Sequence, residues 1–241
     1  MSAFGWGLLA SSSLLIGAVV VLIRPPGQRV LALIMAFGAG VLLSAVAYDL
    51  VQDAFEASNG GVLIAGLAAG ALAFYVGDLL IDHRGGRDRK RSSGTQDGGG
   101  AAAIALGTVL DGVPESVVLG TTLVAGSGVS WAILAAVFLS NLPESMAATT
   151  GLLKSGARAS QLMVLWGATT LVSGIAAGLG YTLFGDASGG TVALVQAFAA
   201  GALLTMLTDT MIPEAYEYSG PATGLVTVLG FTVAFGISTL A

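Results

Sequence analysis

Two short phrases in the middle of the chain each set a proline before a glutamate, inside apolar sequence. The first is Asp111-Gly112-Val113-Pro114-Glu115-Ser116, and the second is Ser140-Asn141-Leu142-Pro143-Glu144-Ser145. Asp111 and Glu115 are four positions apart, as are Ser140 and Glu144, so on helices each pair shares a face. Asp49 and Asp53 repeat the spacing earlier in the chain, and Thr210 and Glu214 repeat it later. Four helices can therefore each aim two oxygens at one axis. Pro114 and Pro143 also free the carbonyls of Leu110 and Leu139 from their helical donors, offering further oxygens where a helix lines a cavity. Acids grouped in this way suit a cation. Asp111, Glu115 and Glu144 would largely neutralise a divalent ion, with Ser140 and Asn141 as neighbouring oxygen ligands. An all-oxygen set favours hard or borderline ions such as Mg²⁺, Ca²⁺, Mn²⁺ or Fe²⁺. Zinc accepts carboxylates but usually adds imidazole or thiolate. Protons compete for the same acids.

The surroundings make these residues costly. The 241 residues are 55% hydrophobic and 10% charged, against about 25% charged in a soluble domain. Mean hydropathy is +0.87, which predicts a polytopic membrane protein. A charged side chain near the bilayer centre costs roughly 2.5–3.5 kcal/mol on insertion scales, so intramembrane acids point to function. The structural alternative for Glu115 and Glu144 is interhelical hydrogen bonding in protonated form. The 36 glycines fit close helix packing in lipid. There is no cysteine and one histidine, His83, which excludes a thiolate site and a histidine-rich centre. No phosphate-binding loop and no nucleophile–base pair is visible, so an enzyme is not expected, and neither is a catalytic cofactor.

Apolar stretches of about 20 residues mark eight spans, near 4–23, 30–56, 61–82, 100–125, 129–153, 159–184, 190–217 and 222–240. Breaks fall at Pro25-Pro26-Gly27, Asn59-Gly60-Gly61, Gly126-Ser127-Gly128, Gly185 to Gly190 and Ser219-Gly220-Pro221. No basic residues precede the first span, so it reads as a membrane helix and not a cleaved signal. All nine Lys and Arg lie in the connections after spans one, three and five. The positive-inside rule makes those connections cytoplasmic and both termini external. Residues 84–100 form the long polar stretch, a flexible cytoplasmic loop within an otherwise single 1–241 transporter domain. Its basic cluster (Arg84, Arg87, Arg89, Lys90, Arg91) reads as a topology determinant, with no nucleic-acid partner expected. Asp78, Asp82 and His83 should face headgroups, Glu56 and Glu217 solvent, and Trp6 and Trp131 the outer interface.

An internal repeat is also legible. Ala36-Phe37-Gly38-Ala39-Gly40-Val41-Leu42-Leu43 resembles Ala197-Phe198-Ala199-Ala200-Gly201-Ala202-Leu203-Leu204, and at the same offset Asp53-Ala54-Phe55-Glu56 matches Glu214-Ala215-Tyr216-Glu217. The second and seventh spans would run in opposite directions, as would the two Pro-Glu spans. That fits a three–two–three plan with a two-fold axis in the membrane plane, an arrangement common in secondary transporters.

Taken together, the Pro114-Glu115, Asn141, Pro143-Glu144 and Ile212-Pro213-Glu214-Ala215 phrases resemble the ZIP family of divalent-metal transporters. The resemblance implies an all-α bundle of eight transmembrane helices in an inverted repeat, with a first ion site at Asp111, Glu115, Ser140 and Glu144. It implies secondary transport of a divalent cation by alternating access, with uptake into the cytoplasm and zinc as the family default. Where the family carries histidine this chain has Asp111 and Ser140, and Gly112 stands where the first phrase has asparagine. The stretch Ser173-Gly174-Ile175-Ala176-Ala177-Gly178 lacks the glutamate frequent there, so Gly112 and Ala177 bring no ligand for a second ion. Asp49, Asp53, Asp209 and Glu214 are expected to line the transport pathway. The expected partners are a divalent metal ion as cargo and the lipid bilayer of the plasma membrane, with a homodimer as candidate assembly. The alternative is a proton-coupled carrier of another solute on a similar scaffold.

Overall fold

The computed structural model describes residues 1–83, 101–124 and 129–240, with side chains for 1–83, 107–124 and 129–239. The expected 84–100 loop and the Gly126-Ser127-Gly128 break lie outside the described residues. The described chain is helical and contains no strand. In order the helices are α1 (Ala3–Ile23), α2 (Gln28–Ala57), α3 (Gly60–Ile81), α4 (Ala101–Thr122), α5 (Trp131–Lys154), α6 (Ala159–Phe184), α7 (Gly189–Ser219) and α8 (Ala222–Leu240). Among the described residues, seven of these, all but α4, are long and apolar enough to cross a membrane. Their ends fall within about three residues of the spans read from the sequence.

Polar residues at the breaks cap the helices. Ser2, Asn59, Ser130 and Ser188 each accept a backbone N–H from the first turn of the helix that follows, satisfying a donor with no helical partner. After α5 the chain turns through Gly156 at φ 88°. There the amides of Gly156 and Ala157 reach back to the carbonyls of Leu153 and Leu152, both at 3.0 Å, a glycine-dependent helix stop.

Close helix contact organises the bundle. α3 packs on α7 and α8 on α2, while α4 packs on α6 and α5 on α1. α5 also lies against α2, and α4 against α7. The N-terminal part of α2 touches the C-terminal end of α7, and the C-terminal part of α2 touches the N-terminal part of α7, so the two are antiparallel. Glycines permit the closest approaches. A Cβ at Gly40 would collide with the Thr227 carbonyl of α8, and one at Gly201 with the Leu67 carbonyl of α3. The partner contacts run the other way, Gly230 against the Phe37 carbonyl and Gly70 against that of Phe198. Small residues thus do for these helices what the sequence predicts for lipid-embedded packing. Replacing Gly201 by Val should destabilise the protein by about 1–3 kcal/mol, the usual range for overpacking. Thermal unfolding in detergent checks this, and an unchanged midpoint would count against the packing.

The main core is lined by Met35, Leu42, Val46, Leu50, Leu119, Ile133, Val137, Met206 and Leu207. A smaller one surrounds Trp166, whose Nε1 donates to Thr149 Oγ1 at 2.9 Å. Thr149→Val would orphan that buried donor, at a cost of about 1–3 kcal/mol, readable in the same unfolding assay. α3 and α8 lie outermost and expose Ile64, Leu72, Leu80, Leu225, Val228 and Leu229. In water such a surface would aggregate; in a bilayer it meets hydrocarbon.

α4 and α5 stay helical through Pro114 and Pro143. The irregular backbone lies instead in α2 and α7. Each loosens into a π-helical segment, Val46–Gln52 in α2 and Leu207–Met211 in α7. The two segments start at the same offset as the Ala36–Ala197 match. In α7 a cause is visible, since Pro213 lies just beyond the segment and would clash with a regular preceding turn. α2 has no such proline.

Candidate metal centre

α4 and α5 deliver both Pro-Glu phrases to the interior. Asp111, Glu115, Ser140, Asn141 and Glu144 are all buried, none more than 5% exposed. Their four-residue spacing keeps each pair on the inward face of its helix. None of the three carboxylates faces lipid. Ser116 and Ser145 are buried beside them.

One contact joins the two phrases directly. Ser140 Oγ lies 3.4 Å from Glu115 Oε1, across from α5 to α4. That is long for a hydroxyl–carboxylate hydrogen bond, usually about 2.5–3.0 Å. The same hydroxyl lies 3.1 Å from the Val137 carbonyl. A serine has one proton to donate, so the Glu115 carboxylate and the Val137 carbonyl compete for it.

The freed carbonyls divide differently from expectation. A Cβ at Gly38 would sit 2.9 Å from the Leu139 oxygen. The carbonyl released by Pro143 is therefore covered by α2 and does not open onto a cavity at that point. On the other side of α4, a Cβ at Gly112 would lie 3.4 Å from Ser173 Oγ of α6. The position without a ligand thus faces a hydroxyl, and Ala177 is buried one turn further along α6.

The four pathway candidates separate. Asp49 is half-buried and accepts from Ser130 Oγ at 3.2 Å. Asp53 is exposed at the same end of α2. Asp209 is exposed within the π segment of α7, whereas Glu214, just after it, is buried. Since α2 and α7 are antiparallel, the Asp49–Asp53 pair and the Asp209–Glu214 pair lie toward opposite ends of the bundle. Glu56 and Glu217 are exposed, as expected, and take local hydrogen bonds from Gln52 at 2.9 Å and Tyr218 at 3.0 Å. His83 is exposed and its Nδ1 lies 2.7 Å from the Leu79 carbonyl. The rings of Trp6 and Trp131 meet edge-on, with centroids 5.5 Å apart.

Among the described residues, no group of three His, Cys, Asp or Glu side chains stands close enough together to hold a metal ion. Asp111, Glu115 and Glu144 share the core without forming such a group. Any ion between α4 and α5 in this arrangement would draw on serine, asparagine or backbone oxygen besides carboxylate.

Sequence reasoning missed Ser130 and both π segments. Only Pro213 offered a signal for one of them. Ser130 carries the ordinary signature of a helix cap, which conceals its second bond.

No family model matches the chain. It is similar to a protein of Arabidopsis thaliana described as a "Putative zinc transporter", with 25% identity over 186 residues. The match covers 76% of this chain, but the chain spans only 30% of that protein's length.

Proposed function

We propose that this protein is a ZIP-like secondary transporter for a divalent metal cation. The observation that carries the proposal is the placement of three carboxylates, Asp111, Glu115 and Glu144, inside the bundle on two proline-bearing helices. Acids held in an apolar core need a proton or a cation to offset their charge. The likeness to the plant protein described as a "Putative zinc transporter" supports metal as cargo.

In this reading Asp111, Glu115, Ser140, Asn141 and Glu144 ligate the ion, while Asp49, Asp53, Asp209 and Glu214 line the routes to and from it. Eight spans form three–two–three inverted repeats, supported by the matched π segments and the reciprocal glycine contacts of α2–α8 and α7–α3. One helix group rocks against the other around the site. Both termini lie outside, in the plasma membrane, and uptake runs toward the cytoplasm. Asp111 and Ser140 in place of histidines favour an ion that accepts oxygen ligands, so Mn²⁺, Fe²⁺ or Mg²⁺ joins zinc as a candidate.

Protein reconstituted into liposomes loaded with a metal-sensing dye tests the proposal. External Zn²⁺ or Mn²⁺ should raise the internal signal above that of empty liposomes. No response to any divalent ion would contradict the proposal. It would instead favour a proton-coupled carrier of another solute, a reading that also accommodates the lack of a three-acid group among the described residues.

A further inference from the structure

The first residue before α5 has a hydroxyl with two partners on different helices. Ser130 Oγ accepts from Ile133 N at 3.2 Å, which caps α5. The same oxygen donates to Asp49 Oδ1 of α2 at 3.2 Å. A hydroxyl has one proton and two lone pairs, so both bonds stand together. The next residue, Trp131, meets Trp6 of α1 edge-on. The start of α5 is therefore gripped at one level from both α1 and α2.

Asp49 lies within the π segment Val46–Gln52. Its neighbour Tyr48 packs against Phe231 and Phe235 of α8, with centroids 6.0 and 4.9 Å distant. The wide turn thus aims adjacent residues at two different helices. Such segments are frequent at functional sites.

The repeat does not carry the same residue pair. At the repeat offsets, Thr210 stands for Asp49 and Ala101 for Ser130. Thr210 Oγ1 donates back to the Met206 carbonyl at 2.6 Å, and alanine has no hydroxyl to offer.

We infer that the Ser130–Asp49 hydrogen bond is a latch holding closed the mouth at the N-terminus of α5. Ser140 and Glu144 lie about 15–21 Å further along that helix. A divalent cation reaching Asp49 competes for the carboxylate that Ser130 engages, so arrival of cargo loosens the latch. This inference rests on the transporter reading and on the repeat pairing proposed above.

The chain has no cysteine, so one introduced thiol reports cleanly. Leu134 is buried one turn beyond Ser130 on the same face of α5. Leu134→Cys, in the full-length protein in lipid nanodiscs, is exposed to a bulky water-soluble thiol reagent. Nanodiscs open both faces to the reagent, so topology does not enter. Ser130→Asp keeps a good helix cap but repels Asp49, and Asp49→Ala removes the acceptor. Each should raise the labelling rate about tenfold, the scale set by one hydrogen bond to a charged acceptor. Ser130→Thr keeps both bonds and should label like its parent. Metal-dependent thermal stabilisation is measured on the same samples with Zn²⁺ and Mn²⁺. Unchanged labelling in both latch variants, with that stabilisation intact, would overturn the latch and leave the transporter reading standing. Faster labelling without stabilisation by either ion would support the closure and remove the metal from the account.

Discussion

Replacing Glu115 and Glu144 together by glutamine should abolish metal uptake into liposomes. Glutamine keeps the volume and one acceptor oxygen of each side chain while removing the charge. Loss of an outer partner of a metal ligand typically costs about 10–100-fold, and here two ligands would change at once. A fall of at least roughly 100-fold in the initial rate is therefore expected. The variant should still fold, because two buried charges in an apolar core are exchanged for two neutral amides. Its elution as a monodisperse species would show that folding survives. Uptake at the parental rate would mean that the carboxylates of α4 and α5 do not carry the ion.

A second large effect concerns stability. An ion that binds the folded protein and not the unfolded chain should stabilise it by about 2.7 kcal/mol at a free concentration about 100 times its dissociation constant. For a chain of this size that is a rise of roughly 5–10 °C in the unfolding midpoint. The rise should vanish in Asp111→Ala and in the double glutamine variant. Asp111→His should shift the preference toward zinc, because imidazole suits zinc better than it suits Mg²⁺ or Mn²⁺. Equal midpoints with chelator and with every divalent ion would exclude a bound ion under these conditions.

Much of the fold is legible in the sequence because of the solvent. A bilayer demands long apolar runs with internally satisfied backbone, so hydropathy locates helix ends to within a few residues. The capping residues Asn59 and Ser130 and the glycines at the breaks refine those ends. Burial of Asp111, Glu115, Ser140 and Glu144 follows from four-residue spacing in an apolar context. The rest depends on how helices meet. Nothing local in Val46–Gln52 announces a wide turn, and no proline stands beyond it as Pro213 does in α7. Pro114 and Pro143 free two carbonyls, yet both segments stay helical and the Leu139 carbonyl is covered by Gly38. Ser130 reads as a cap and nothing more until α2 is placed beside it.

Transport of this kind requires a divalent ion to rest between the Pro-Glu phrases of α4 and α5. Crystals of the protein grown with Mn²⁺ or Zn²⁺, and measured at the absorption edge of that metal, test this most directly. The account predicts an anomalous peak bounded by the carboxylates of Glu115 and Glu144, with Asp111, Ser140 or Asn141 completing the oxygen shell. A well-ordered site without a peak, or a peak elsewhere in the bundle, would contradict it.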